Sequence, residues 1–353
     1  MKKLYLLYVI KMGVGELNIQ NMMLAITIWL ARLILLIGLF SPFSVLAQTD
    51  VYHGKKESVP EIPEKNKKIR IIIVSDAMNE IDDVWAIALA ILSPERFQIE
   101  GFVGSNYDHP HLGIGPQSVG KSVEVIKTIL SKAGLEKKYP VFAGSHPMSY
   151  QFEPSHSEGV DFIIQKASEG SKENLLWVVG LGSSTDLASA YLKEPSIADK
   201  VIFFWHGRTE KTWPYRAHNY NVKGDMHAAR ILFHSPVPLV LFDTGTNLSA
   251  GTLEESLEHI RPHGDLGEYL YEYRLKEENW AGKKKGFFDL GDIAVLIDPE
   301  LGKWEETPCP TVTPYMDYNF YKTNGRLLRC RKVNRNKTFG LLYRKLKKYR
   351  MPD

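Results

Sequence analysis

Ile71-Ile72-Ile73-Val74-Ser75-Asp76-Ala77-Met78-Asn79-Glu80-Ile81-Asp82-Asp83 is the stretch that decides the fold. Four branched apolar residues in a row read as a strand buried on both faces, as in a parallel sheet. Four carboxylates, Asp76, Glu80, Asp82 and Asp83, follow within eight residues. Carboxylates this close repel one another, so a folded chain keeps them together around a hard cation or a proton held at a raised pKa. The next run, Val84-Trp85-Ala86-Ile87-Ala88-Leu89-Ala90, has helical character and sets Asp82 and Asp83 in a first helical turn, where the dipole favours anions. Open α/β sheets bind ligands beyond the carboxyl ends of their strands, so position and chemistry together point to a metal site. Read as scaffold alone, the same residues would cap a helix and solvate a turn.

Outward from this stretch, strand and helix patterns alternate. Strands are expected at 69–75, 99–104, 141–144, 175–181, 201–205 and 237–242, with helices from Asp82, Ser118, Val160, Thr185 and Met226. Such alternation implies βαβ units: an α/β fold, one domain over residues 69–350, with a largely parallel open sheet flanked by helices. Internal repeats and low-complexity tracts are not seen.

The two ends read differently. Residues 1–47 hold a short apolar core, Leu33 to Phe40, behind Lys2, Lys3, Lys11 and Arg32, and end in Val45-Leu46-Ala47. That is a secretory signal pattern, with Gln48 as the new terminus, and it implies an exported protein, periplasmic or secreted. The long stretch before that core points to Met22 or Met23 as an alternative start. Leu24 to Ala47 is long enough to span a bilayer, so contact with a membrane is expected only if the leader stays uncleaved, and Arg32 is costly there. Residues 48–68 carry Pro60, Pro63 and many charges, the composition of a linker.

The formal charge of +3 belongs to the leader, because removing residues 1–47 leaves 40 basic against 40 acidic residues. Nothing in that balance suggests nucleic acid as a partner. The tail from Arg326 to Arg350 has eleven Lys/Arg and no acid, and its spacing around Phe339, Leu342 and Leu346 suits the solvated face of a closing amphipathic helix. A weak hold on an acidic membrane surface is the sharper alternative. The two cysteines, Cys309 and Cys330, would be free to bridge in an oxidising compartment and so staple the C-terminal segment.

Several ordered motifs carry a resemblance. Asp76 leads to Asp82-Asp83; Gly104-Ser105-Asn106 follows the second strand; then come Leu181-Gly182-Ser183-Ser184-Thr185-Asp186-Leu187-Ala188, Tyr220-Asn221 with Asp225-Met226-His227-Ala228-Ala229, and Gly291-Asp292-Ile293-Ala294-Val295. In this order the chain resembles the nucleoside hydrolase family, the calcium-dependent N-ribohydrolases typified by inosine-uridine preferring enzymes. The resemblance implies a hydrolase that cleaves the N-glycosidic bond of a ribonucleoside or related ribosyl compound. Asp83 and Asp292 would hold Ca2+ by their carboxylates and Thr185 by its backbone carbonyl. Asp82 would be the base that activates a water, and Asn106 and Asn221 would bind the ribose. Such enzymes are often oligomers, though no interface signature is visible.

The residue types suit that chemistry. Ca2+ takes six to eight oxygen ligands, so sugar hydroxyls and a water can share its shell, and a carboxylate base beside it is useful because calcium acidifies water only modestly. The departures are equally specific. Met78 stands where the family has a second Asp, and a thioether is a poor ligand for a hard cation; Glu80, or Asp76 after a shift of the turn, would close the metal shell. Met78 also speaks against a phosphate-transferring enzyme. Gly291 replaces a His thought to protonate the leaving base, and Asn219 a ribose-binding Glu. His109, His111 or His206 could supply the proton, or each could be an ordinary surface or core histidine. The alternative class is a ribosyl-binding protein that keeps the fold and metal without turnover.

Overall fold

The computed structural model describes residues 54–351 apart from 109–114, 116, 208–210, 243–250, 277–280 and 283. The expected leader and the candidates His109 and His111 lie outside the described residues.

Strand β1 (Ile69–Ser75) is buried at every position. Successive side chains point to opposite faces, so Ile69, Ile71 and Ile73 enter the core on one side and Ile72 and Val74 the core on the other. A strand between two cores must be apolar throughout, and this explains the unbroken Ile-Ile-Ile-Val run. β1 pairs in parallel with β2 (Phe97–Gly104) on one side and β4 (Leu176–Gly180) on the other. With β3 (Val141–Ala143), β5 (Val201–His206), β6 (Leu239–Phe242), β9 (Gly302–Val312) and β10 (Tyr318–Val333) they form an eight-stranded sheet ordered β3-β2-β1-β4-β5-β6-β10-β9. Neighbours are parallel except β9, which runs antiparallel to β10 at the edge. A separate ribbon joins β7 (Gly251–Thr252) to β8 (Lys284–Lys285). The fold is therefore the expected α/β architecture with a largely parallel sheet.

From β1 the chain winds outward through β2 and β3 and then returns to β4 on the other side. The crevice at the carboxyl ends of β1 and β4 is the topological switch point, the place where such sheets bind ligands. Helices cover both faces: α1 (Asp82–Ile91), α2 (Ser118–Lys132), α3 (Glu158–Ser168), α4 (Thr185–Lys193), α5 (Tyr220–Gly224), α6 (Met226–His234), α7 (Leu253–His259), α8 (Gly264–Leu275), α9 (Leu290–Ile297) and α10 (Arg335–Lys348). All of α1 is buried, packed by α9, α2 and α8. Among the described residues no helix is long and apolar enough to cross a membrane.

Three expectations about the ends change. Residues 54–68, read as linker, hold no helix and only the extended start of β1's approach, yet they are fastened down. Lys56 Nζ donates to the carbonyls of Leu232, Ser235 and Val237 at 2.9, 2.7 and 2.9 Å. The buried Arg96 guanidinium binds the carbonyls of Pro63, Glu64 and Lys67. The basic tail divides: its first part completes β10, where Leu328 to Cys330 pair with β6, and only the second part is the amphipathic helix α10 that buries Phe339, Leu342 and Leu346. Ladder bonds from strands on both sides favour the extended form there over continued helix. Cys309 and Cys330 lie in the cores on opposite faces of the sheet, so no disulfide joins them.

Candidate active site

Two helix starts meet at the switch point. β1 ends in Ser75, the turn carries Asp76 and Asn79, and α1 opens with Asp82 and Asp83. From the other side of the pocket, α9 opens after Asp289 and carries Asp292 in its first turn. Both N-termini present unpaired backbone amides and positive dipole ends, which favour carboxylates. Asp82 Oδ2 accepts from the backbone amides of Phe288 at 3.1 Å and Asp289 at 3.4 Å, so it is held by a segment 206 residues away. Ser75 donates its hydroxyl to Asp83 Oδ1.

The pocket above is lined by Asp76, Asn79, Glu80, Asp82, Asp83, Leu181, His206, Asn219, Tyr220, Asn221, Phe288 and Asp289. Asp82, Asp83 and Asp289 each bring an oxygen within 4.8 Å of the others, and His206, Asp289 and Asp292 make a second such group that shares Asp289. His206 Nδ1 lies 2.8 Å from Asp292 Oδ2 and 3.0 Å from Asp289 Oδ1. Asp82 Oδ1 and Asp292 Oδ1 are buried and without a hydrogen-bond partner.

Electrostatics follow from this crowding. Burial, with Glu80 and Asp83 nearby, pushes the Asp82 carboxyl up to about 8. Burial, then the facing Asp289, raises Asp83 well above the carboxylate range, and burial with Asp82 does the same to Asp289. Asp292 rises to about 6 through burial, opposed by His206. Burial alone would lower His206, but Asp292 and Asp289 carry it well above its ordinary value. Four buried carboxyls facing one imidazole hold more negative charge than that ring neutralises, so the residues fit a divalent cation.

The sequence candidates distribute unevenly. Asp82, Asp83, Asp292, Asn219 and Asn221 come together around the pocket. Asp76 is buried at its floor, where Asn79 Nδ2 reaches its Oδ2 at 3.1 Å and a Cβ on Gly182 would meet its Oδ1 at 2.5 Å, so only glycine fits that turn. Glu80 pairs instead with Lys285, its side chain 42% exposed, and stands outside both carboxylate groups. Met78 packs against the core beside the Tyr273 hydroxyl, 3.5 Å from its sulfur. Asn106 and Thr185 lie beneath the pocket: Asn106 Nδ2 donates to Ser145 O at 2.7 Å and Thr185 Oγ1 at 3.1 Å, and Thr185 Oγ1 donates to Asp225 Oδ2 at 2.8 Å. Asp289 was missed, although its place three residues before Asp292 puts both at one helix start, a signal that sequence could have given. Tyr220 entered only as part of the Tyr220-Asn221 motif, with no role given to its ring, and Phe288 had no signal.

The match to known proteins is consistent with this geometry. The model of the inosine-uridine preferring nucleoside hydrolase family matches residues 71–337. The chain belongs to the inosine-uridine preferring nucleoside hydrolase family. It is 27% identical over 201 residues to the pyrimidine-specific ribonucleoside hydrolase RihB of Escherichia coli, a stretch that covers 54% of this chain and 61% of that protein. The chain thus spans less than two thirds of the length of the curated relatives it matches. In three dimensions it is similar to a plant nucleoside hydrolase, with TM-score 0.61 and 20% identity over 80% of this chain and 100% of the other. The inosine-uridine preferring nucleoside hydrolase of Bacillus anthracis gives TM-score 0.61 and 14% identity over 80% and 99%. These likenesses show the nucleoside hydrolase fold.

Proposed function

We propose that this nucleoside hydrolase family member cleaves the N-glycosidic bond of a ribonucleoside or related ribosyl compound, in a cation-dependent reaction with Asp82 as general base. The observation that carries the reading is the state of Asp82, which lines the pocket: Oδ2 is fixed by two backbone amides, while Oδ1 is buried and without a hydrogen-bond partner. A carboxylate so fixed can take a proton from water aimed at the sugar carbon. A bound cation, Ca2+ by the resemblance, would be held by Asp83, Asp289 and Asp292 and would supply charge stabilisation and a fixed seat for sugar hydroxyls.

The chain's own residues prepare the substrate's place. Asn221 Nδ2 is committed to the carbonyls of Leu181 and His206 at 2.6 and 2.9 Å, so its Oδ1 is the group left to accept from a ribose hydroxyl. Asn219 Oδ1 caps α5 through Val222 N at 2.9 Å, so its Nδ2 is the group left to donate. Tyr220 and Phe288 add aromatic surface at the mouth for a planar base. Asp82, close to the developing positive charge at the sugar carbon, also stabilises an oxocarbenium-like transition state. The signal pattern read in residues 1–47 supports an exported enzyme, acting in the periplasm or outside the cell.

Release of reducing sugar by the purified protein from a panel of nucleosides, with Ca2+ and again with chelator, tests the reading. Pyrimidine nucleosides come first because of the likeness to RihB. Chelator-sensitive release is expected. Ribosyl binding without release from any substrate would instead favour the binding-protein reading, for which Met78 in the core and the absent side chain at Gly291 speak.

A further inference from the structure

Of the two donor groups at this pocket, the one formed by His206, Asp289 and Asp292 includes a nitrogen, which an all-oxygen calcium shell does not use. Met78, at the position the family fills with a hard carboxylate, is turned into the core, and Glu80 is tied to Lys285. In their place the structure brings an imidazole and a further carboxylate, His206 at the end of β5 and Asp289 before α9. His206 Nδ1 faces Asp289 Oδ1 and Asp292 Oδ2 at 3.0 and 2.8 Å. That is also roughly the edge between neighbouring ligands around an ion with bonds near 2.1 Å. Asp292 Oδ1, wholly buried, has no partner. Ca2+ takes oxygen ligands, whereas imidazole suits borderline metals, and carboxylates accept these as well.

We propose that His206, Asp289 and Asp292 form a mixed nitrogen–oxygen metal site that binds a first-row transition-metal dication, Zn2+ or Mn2+, in preference to Ca2+, with His206 as a direct ligand. Asp289, shared with the Asp82–Asp83 group, links this ion to the base. The inference rests on the reading that this pocket holds a divalent cation. The competing account makes His206 a resident counter-ion whose proton, and no metal, lies between the two carboxylates.

The test uses the full-length protein stripped with chelator, titrated separately with Mn2+ and Ca2+, with pulsed electron paramagnetic resonance on the Mn2+ form. Expected are affinity for Mn2+ above that for Ca2+ by about tenfold or more, and a 14N coupling from a directly bound nitrogen. His206→Gln should abolish that coupling and weaken Mn2+ by about tenfold or more while changing Ca2+ affinity less. The wild-type spectrum decides the matter even if the variant fails to fold. Bound Mn2+ without 14N coupling, or Ca2+ bound the more tightly, overturns the inference and leaves the cation reading standing. Failure of the wild type to bind either ion overturns both.

Discussion

Two buried polar clusters lie side by side at the switch point, and they have been put to different uses. On one side Asn106, Ser145, Thr185, Asp186 and Asp225 bond mainly to each other and to the backbone: Asp186 Oδ1 accepts from Ser145 N at 2.7 Å, and Asp225 Oδ2 accepts from Met148 N at 2.9 Å and from Thr185. None of the five lines the pocket. On the other side Asp82, Asp83, Asp289 and His206 line the pocket, with Asp292 buried behind His206 and Asp289. Each cluster keeps two buried oxygens without a hydrogen-bond partner, Asn106 Oδ1 and Asp186 Oδ2 in the first and Asp82 Oδ1 and Asp292 Oδ1 in the second. The first is scaffold, because it is closed off from the pocket and its carboxylates accept from several protein donors; the second sets four carboxyls against one imidazole beside the pocket, so it requires charge from outside.

The largest expected difference is in turnover. Asp82→Asn should lower kcat by about 10³-fold, the range of a lost general base, while cation affinity falls far less. Near-normal kcat in steady-state assays would remove Asp82 from the reaction. On the scaffold side, Asp186 supplies a pH signature. Burial raises its carboxyl to about 7, against backbone and hydroxyl donors from Ser145 and Ser157 and with Asp225 adding to the rise. The folded state holds this proton more tightly than the unfolded chain, so the contribution to stability is complete below about pH 4 and is lost as pH rises through about 7. Asp186→Asn, which keeps the shape, should remove up to about 4 kcal/mol of that decline. Denaturation curves across pH check this, and parallel curves for the two proteins would mean the cluster carries no such proton.

A smaller effect comes from removing the cation. At a concentration 100-fold above its Kd it contributes about 2.7 kcal/mol, so chelation should lower the melting temperature by several degrees. Asp289→Asn, which removes the carboxylate common to both donor groups, should lose that dependence, and Asp186→Asn should keep it. A chelator shift unaltered in Asp289→Asn would break the division between the clusters. Smallest is Asn106→Ala, which should cost about 1–3 kcal/mol of stability for the buried groups left unpaired, with KM unchanged. A large rise in KM would make Asn106 a ribose ligand, as the resemblance implied.

The sequence by itself determined the order of strands through β6, the longer helices between them and the place of the site; the short α5 escaped it. Burial on both faces writes an unbroken apolar run into β1, and four carboxylates in eight residues cannot be neutral scaffolding without partners. These are local signals, fixed by side-chain period and by charge at short range. What the tertiary structure decided lies at long range. The amides of Phe288 and Asp289 fix Asp82 across 206 and 207 residues, and Asp289 and His206 meet only because the end of β5 and the start of α9 lie at the same crevice. Nearness along the chain misled in the other direction. Glu80, two residues from Asp82, turns to Lys285, and Met78 turns into the core because a side chain in a turn follows the backbone rather than its neighbours' charge. Likewise the sheet, not the spacing of Cys309 and Cys330, put those thiols on opposite faces. Composition sets which groups must find partners, and topology sets which partners are within reach.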